Sequence, residues 1–156
     1  MAGHEAGPSI RPSPCLRVSV VNLVPKVSTM PERTAGDLLR AYYAALDAPR
    51  LDDLDGILAP ELEWRFPGAV LRTSAQVKRS MERSLATGLV MRHDIGHLLD
   101  QGNLAICELI ATNRLPAAEF QVSGAVVCEA RDGRITRLAA YPEAEQMRAF
   151  LAALRT

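Results

Sequence analysis

What this chain lacks narrows its function before any motif is read. It has no imbalance of charge, since 18 Lys+Arg stand against 18 Asp+Glu. Without a positive field to gather phosphates, nucleic acid is not an expected partner. It has no apolar run approaching the roughly 18 residues that a membrane span needs, so no membrane partner is expected either. Its three cysteines, Cys15, Cys107 and Cys128, are odd in number and scattered. They do not make a disulfide framework, and they fit a reducing, cytoplasmic setting. A nucleophile elbow, a phosphate loop and a dinucleotide fingerprint are all missing, and no cofactor is expected. What remains, 156 residues at 48% hydrophobic, is enough for one domain with a core.

The first 29 residues differ from the rest. Pro8, Pro12, Pro14 and Pro25 fall there, with Gly3 and Gly7. Leu16–Val24 is apolar but short, Asn22 interrupts it, and His4 and Glu5 replace the basic start of a secretory signal. Residues 1–29 read as a disordered or extended tail, and 30–156 as the folded domain, with Met30 a candidate initiator. The competing reading makes Leu16–Val24 a strand that extends the sheet or pairs with another subunit.

Thr34 followed by Asp37 marks a helix start, and Leu38, Tyr42, Ala45 and Leu46 then share one helical face. Pro49 stops that helix. A shorter one turns Leu51, Leu54 and Leu58 inward and Asp52, Asp53 and Asp55 outward, and Pro60 closes it. Leu62, Trp64 and Phe66 alternate with Glu61, Glu63 and Arg65 as a half-buried strand. Ser74 is a candidate cap for a third helix, with Val77, Met81 and Leu85 inside and Lys78, Arg79, Glu82 and Arg83 on its wet side.

From Val90 the period becomes two. Strands are predicted at about Val90–Leu99, Leu104–Leu115, Phe120–Arg131 and Arg134–Tyr141, with Gln101-Gly102-Asn103 and Asp132-Gly133 as turns. Strands this long point to a curved sheet, and Gly96 and Gly124 are sites where bends or bulges are tolerated. Met147, Phe150, Leu151 and Leu154 form the apolar stripe of a closing helix. The fold class is therefore α+β: three N-terminal helices packed on a strongly curved, mainly antiparallel sheet, plus a C-terminal helix. The space between such layers is a usual small-molecule site, and a small hydrophobic ligand is the expected partner.

Three stretches carry a family resemblance: Tyr42-Tyr43-Ala44-Ala45-Leu46-Asp47-Ala48, Leu54-Asp55-Gly56-Ile57-Leu58-Ala59-Pro60 and Arg131-Asp132-Gly133-Arg134-Ile135. Across roughly Asp37 to Leu154 the chain resembles the NTF2-like superfamily, whose SnoaL-like polyketide cyclases, ketosteroid isomerases and limonene-epoxide-hydrolase-like enzymes share a cone-shaped fold. The resemblance implies a homodimer through the outer sheet face. It also implies sites. Tyr42 falls on the oxyanion-donating tyrosine of the ketosteroid isomerases, but Phe66 replaces their aspartate base and Val126 their second acid. The Arg-x-Asp pair of the epoxide-hydrolase-like enzymes falls on Leu109 and Ala111, their last aspartate on Ala140, and their water-positioning tyrosine and asparagine on Trp64 and Phe66. Neither known reaction is expected by its known route. The implied function is a cyclase, isomerase or hydratase acting on an apolar, oxygen-bearing metabolite, or else a non-catalytic ligand-binding or dimerisation module.

Strand parity selects the remaining candidates. Met91, His93, Ile95, His97 and Leu99 share a face, and His93 lies nearest the family's pocket positions. It reads either as a general acid or base or as a core or rim histidine held by one hydrogen bond. Asn113 falls on the pocket side of the next strand, where it could orient a carbonyl or hydroxyl. Tyr42 could donate to an oxyanion or simply fill the core. Trp64, Phe66 and Val126 shape the pocket. Glu63, Asp94, Glu108 and Glu129 take the opposite parity, unless a bulge intervenes. His93 and His97 resemble a zinc motif only superficially, because four residues of strand span about 13 Å, too far for two ligands of one ion. No metal is expected. Cys107 and Cys128 read as buried, inert thiols.

Overall fold

The computed structural model describes residues 32–155, all within the unit Pro31–Thr156. The tail reading for 1–29, the rival strand at Leu16–Val24, Cys15 and Met30 lie outside the described residues. The elements are α1 (Ala35–Asp47), a 3₁₀ helix (Leu51–Gly56), β1 (Leu58–Phe66), β2 (Ala69–Thr73), α2 (Ser74–Ala86), β3 (Val90–Asp100), β4 (Leu104–Leu115), β5 (Ala118–Arg131), β6 (Arg134–Pro142) and α3 (Ala144–Ala153). The six strands make one curved, unclosed sheet in the order β2-β1-β6-β5-β4-β3. Only the β1–β6 pairing is parallel.

Local chemistry sets most boundaries. Thr34 caps α1 reciprocally with Asp37: the Asp37 N–H donates to Thr34 Oγ1 at 3.1 Å and the Thr34 N–H to Asp37 Oδ2 at 3.2 Å. Asp132 and Gly133 both take positive φ, 52° and 69°, as the tight hairpin between β5 and β6 requires. α1 packs against β3, β4, β5 and β6, α3 against β5, and α2 against β1, β2 and the 3₁₀ helix. The core lies between α1 and the sheet, where Leu38, Leu39, Leu54, Leu58, Val126, Cys107, Cys128 and Ile135 are buried.

Several expectations are corrected. β2 is an additional strand, which the sequence does not signal because its apolar residues run consecutively as Ala69-Val70-Leu71 and it spans only five residues. The second helix is a 3₁₀ turn that ends at Gly56, so Leu58 and Pro60 belong to β1. Proline is tolerated there because the β1 register breaks between Leu58 and Glu63. Thr73, not Ser74, caps α2, reciprocally with Gln76. Lys78 stays at the surface, where it is held by Asp55 at 2.9 Å and Asp52 at 3.3 Å. In β3 the register shifts between Ile95 and Leu98, so Leu98 packs on the core while Leu99 and His97 turn outward. Gly124 marks a close approach rather than a bulge. A Cβ there would sit 2.6 Å from both Pro142 Cα and the Tyr141 carbonyl oxygen, and the β5 irregularity lies instead at Glu129/Ala130.

Candidate functional site

The sheet and its helices enclose a cavity of about 330 Å³, within the size range of small-molecule sites. Tyr42, Trp64, Phe66, His93, Asn113 and Val126 all border it. So do Leu109, Ala111 and Ala140, which means that the positions matched to the epoxide-hydrolase-like set are in the wall but carry no ionisable group. The single tryptophan, two of the three tyrosines and two of the three phenylalanines border the cavity, so it gathers most of a scarce residue class.

Four of those rings, Tyr42, Tyr43, Trp64 and Phe66, form a continuous arc with His93. His93 lies on Tyr43 with centroids 4.5 Å apart, Tyr43 meets Tyr42 edge-on at 5.1 Å, and Trp64 stacks on Phe66 at 5.3 Å. The link between the two halves is a buried hydrogen bond of 3.0 Å from Trp64 Nε1 to the Tyr42 hydroxyl oxygen. An indole N–H can only donate, so Tyr42 must accept here. No acceptor for the hydroxyl's own hydrogen is found among the described residues. Burial pushes the Tyr42 hydroxyl well above the ordinary tyrosine range, and the Trp64 bond offsets only part of that. Tyr42 is therefore a neutral donor with its proton unspent. Burial raises Tyr43 as well.

At the other end, Asp47 on the last turn of α1 holds His93 on β3. Asp47 Oδ1 lies 2.6 Å from His93 Nδ1, and Asp47 Oδ2 accepts the His93 backbone N–H at 3.0 Å. The His93 side chain is 7% exposed. Burial lowers its pKa, outweighing the opposing pull of Asp47 and Asp94, so the imidazole is neutral near pH 7. With Nδ1 committed, Nε2 is the ring's remaining nitrogen. Asn113 is 5% exposed, and its amide makes one long contact, 3.4 Å to the Ala111 carbonyl. The β3–β4 register places it diagonally from His93, across from Met91.

Glu63, Asp94, Glu108 and Glu129 take the outer face, each paired there: Glu63 with Arg65, Arg72 and Arg137, Asp94 with Arg92, Glu108 with His97, and Glu129 with Arg137. Cys107 and Cys128 are buried and unbridged. Burial raises both thiols, Cys128 to about 12. Sequence reasoning missed Asp47 and Tyr43. The available signal was their spacing of four on α1, which puts both on one helical face.

A curved α+β sheet with an interior pocket defines a fold class shared with many proteins of different activities. The SnoaL-like domain model matches residues 39–138, and the chain belongs to the SnoaL-like family. Its fold resembles that of an LEH-like epoxide hydrolase from M. tuberculosis, with TM-score 0.67 and 21% identity over 76% of this chain and 90% of that one. It also resembles a candidate polyketide cyclase from Pseudomonas putida KT2440, with TM-score 0.61 and 18% identity over 74% and 96%. An NTF2-like protein from Burkholderia xenovorans LB400 gives TM-score 0.65 and 16% identity over 76% and 98%. A search of curated proteins finds no match.

Proposed function

We propose that this protein is an enzyme that moves a proton on an apolar, oxygen-bearing small molecule, as a cyclase, isomerase or hydratase does. The observation that carries the reading is that one mostly apolar cavity is bordered by both a neutral imidazole and a hydroxyl whose hydrogen is unspent. In the simplest step a C–H bond next to a carbonyl breaks. The proton passes to His93 Nε2, and the electron pair moves into the carbonyl oxygen, which accepts from the Tyr42 O–H as it becomes an enolate. Return of the proton to another carbon isomerises the substrate. Attack of the enolate carbon on an internal carbonyl closes a ring, as that carbonyl's π bond opens to an alkoxide that takes the proton back from His93. Asn113 orients a second oxygen, while Trp64, Phe66 and Val126 shape the wall.

Exchange of solvent deuterium into a panel of cyclic ketones, followed by NMR, tests this. Wild-type protein should accelerate exchange at the α-carbon. His93→Ala should lower the rate by about 10²–10⁴, and Tyr42→Phe by about 10²–10³. If both variants matched the wild type, the assigned roles would be wrong.

A second reading, a ligand-binding module without catalysis, draws on Phe66, Val126, Leu109, Ala111 and Ala140, which are apolar where related enzymes keep reactive groups. Ligand binding without exchange on any ketone would favour it. We also propose a homodimer through the outer sheet face, where Ile106, Ile110 and Tyr141 are 40%, 45% and 52% exposed. A monomeric mass at micromolar concentration would reject that.

A further inference from the structure

We infer that Asp47 is a positioning residue that fixes His93 in the Nδ1–H tautomer and so keeps Nε2 a bare acceptor on the cavity. This rests on the reading of His93 as the base and adds the group that makes it one.

Asp47 sits where helix physics disfavours it. It is the last residue of α1, where the macrodipole repels a carboxylate, and no basic residue occupies that last turn. Here both carboxylate oxygens are spent on one residue, Oδ1 on Nδ1 and Oδ2 on the backbone N–H of His93. The backbone contact fixes which way the carboxylate faces, because an N–H can only donate. An ionised carboxylate offers Nδ1 only an acceptor, so Nδ1 must carry the hydrogen. In neutral imidazole the other nitrogen is then unprotonated.

Among the described residues, Asp47 is the one hydrogen-bond partner of the His93 ring. From α1, Tyr43 presents its ring, at 4.5 Å. From β3, Asp94 carries a like charge but is already paired with Arg92 at 3.1 Å. From β4, the residue opposite His93 is Ala111. The arrangement follows the general pattern in which a carboxylate on one ring nitrogen sets the tautomer and raises the basicity of the other.

The test is histidine ¹⁵N NMR on the whole chain, with His93 assigned by its loss in His93→Gln. Wild-type His93 should show a protonated Nδ1 and an unprotonated Nε2 at pH 7.5. Asp47→Asn keeps the size, but its oxygen must still serve the backbone N–H. Its NH₂ then faces Nδ1, so the tautomer should flip to Nε2–H and the His93 titration should move to lower pH. A wild-type His93 carrying its proton on Nε2 would overturn the proposal without any variant. So would an Asp47→Asn protein that folds and leaves the tautomer unchanged. A merely structural Asp47 would change thermal stability and move neither readout. No substrate is involved, so a failed exchange assay with the expected tautomer would sink the catalytic reading and leave standing only the tautomer that Asp47 sets.

Discussion

Trp64 donates to the Tyr42 hydroxyl at 3.0 Å inside the core, and that bond decides what Tyr42 has left to offer. The oxygen is occupied by the indole N–H, so the hydroxyl hydrogen is the free half. In the proposed reaction that hydrogen is the one offered to a ligand oxygen.

The same bond sets a stability prediction. Tyr42→Phe leaves the indole N–H buried without a partner, which costs about 1–3 kcal/mol. Trp64→Phe removes the donor and loses packing against Phe66. In a double-mutant cycle by urea denaturation, the two changes together should cost less than their sum, because the second removes the group that the first orphaned. Additivity would mean that the bond contributes nothing.

Gly124 tests the closeness of β5 and β6. Gly124→Ala would drive a methyl group into the backbone of Tyr141 and Pro142, each within 2.6 Å. Overpacking of this kind costs about 1–3 kcal/mol, read as a fall in melting temperature. Gly56→Ala, where an added Cβ meets nothing within 4 Å, should leave the melting temperature nearly unchanged.

His93 makes stability depend on pH with a definite sign. Its folded pKa lies below the usual 6.5, so the unfolded chain binds its proton more readily. The contribution is present above about pH 6.5 and is lost as pH falls through the folded value. Urea midpoints should therefore drop between pH 7.5 and 5.5 in the wild type and drop less in His93→Gln. His97 is shifted the other way by Glu108, but its side chain is 94% exposed, so His97→Ala should leave the profile as it is.

The buried thiols give a labelling prediction. Cys128, pushed up to about 12, and Cys107, also raised, hold almost no thiolate at pH 8. Brief treatment of native protein with iodoacetamide, followed by peptide mass spectrometry, should leave both unmodified, and urea should expose both. Labelling of Cys107 in the native state would show that the core opens.

Much of this was legible from local signals. Thr34 with Asp37, the Asp132-Gly133 turn and the alternation of Leu62, Trp64 and Phe66 each state their structure within a few residues. They placed α1, the last hairpin and one wall of the cavity. Two features were not legible, for physical reasons. A bulge adds one residue without changing composition, so period-two counting carried His97 and Leu99 to the wrong face. The Asp47–His93 contact joins residues 46 apart, and only the packing of α1 on β3 brings them together. His93 could be picked out by parity, but its orienting partner could not.

A cavity that holds an oxygen-bearing ligand through the Tyr42 hydroxyl should distinguish ligands by a single oxygen atom. Calorimetric titration of 2-naphthol against naphthalene, equal in shape and differing by one oxygen, tests it most directly. Wild-type protein should bind naphthol about tenfold more tightly, the equivalent of about 1.4 kcal/mol, and Tyr42→Phe should close most of the gap. Equal affinities in the wild type, or a gap untouched in Tyr42→Phe, would contradict it.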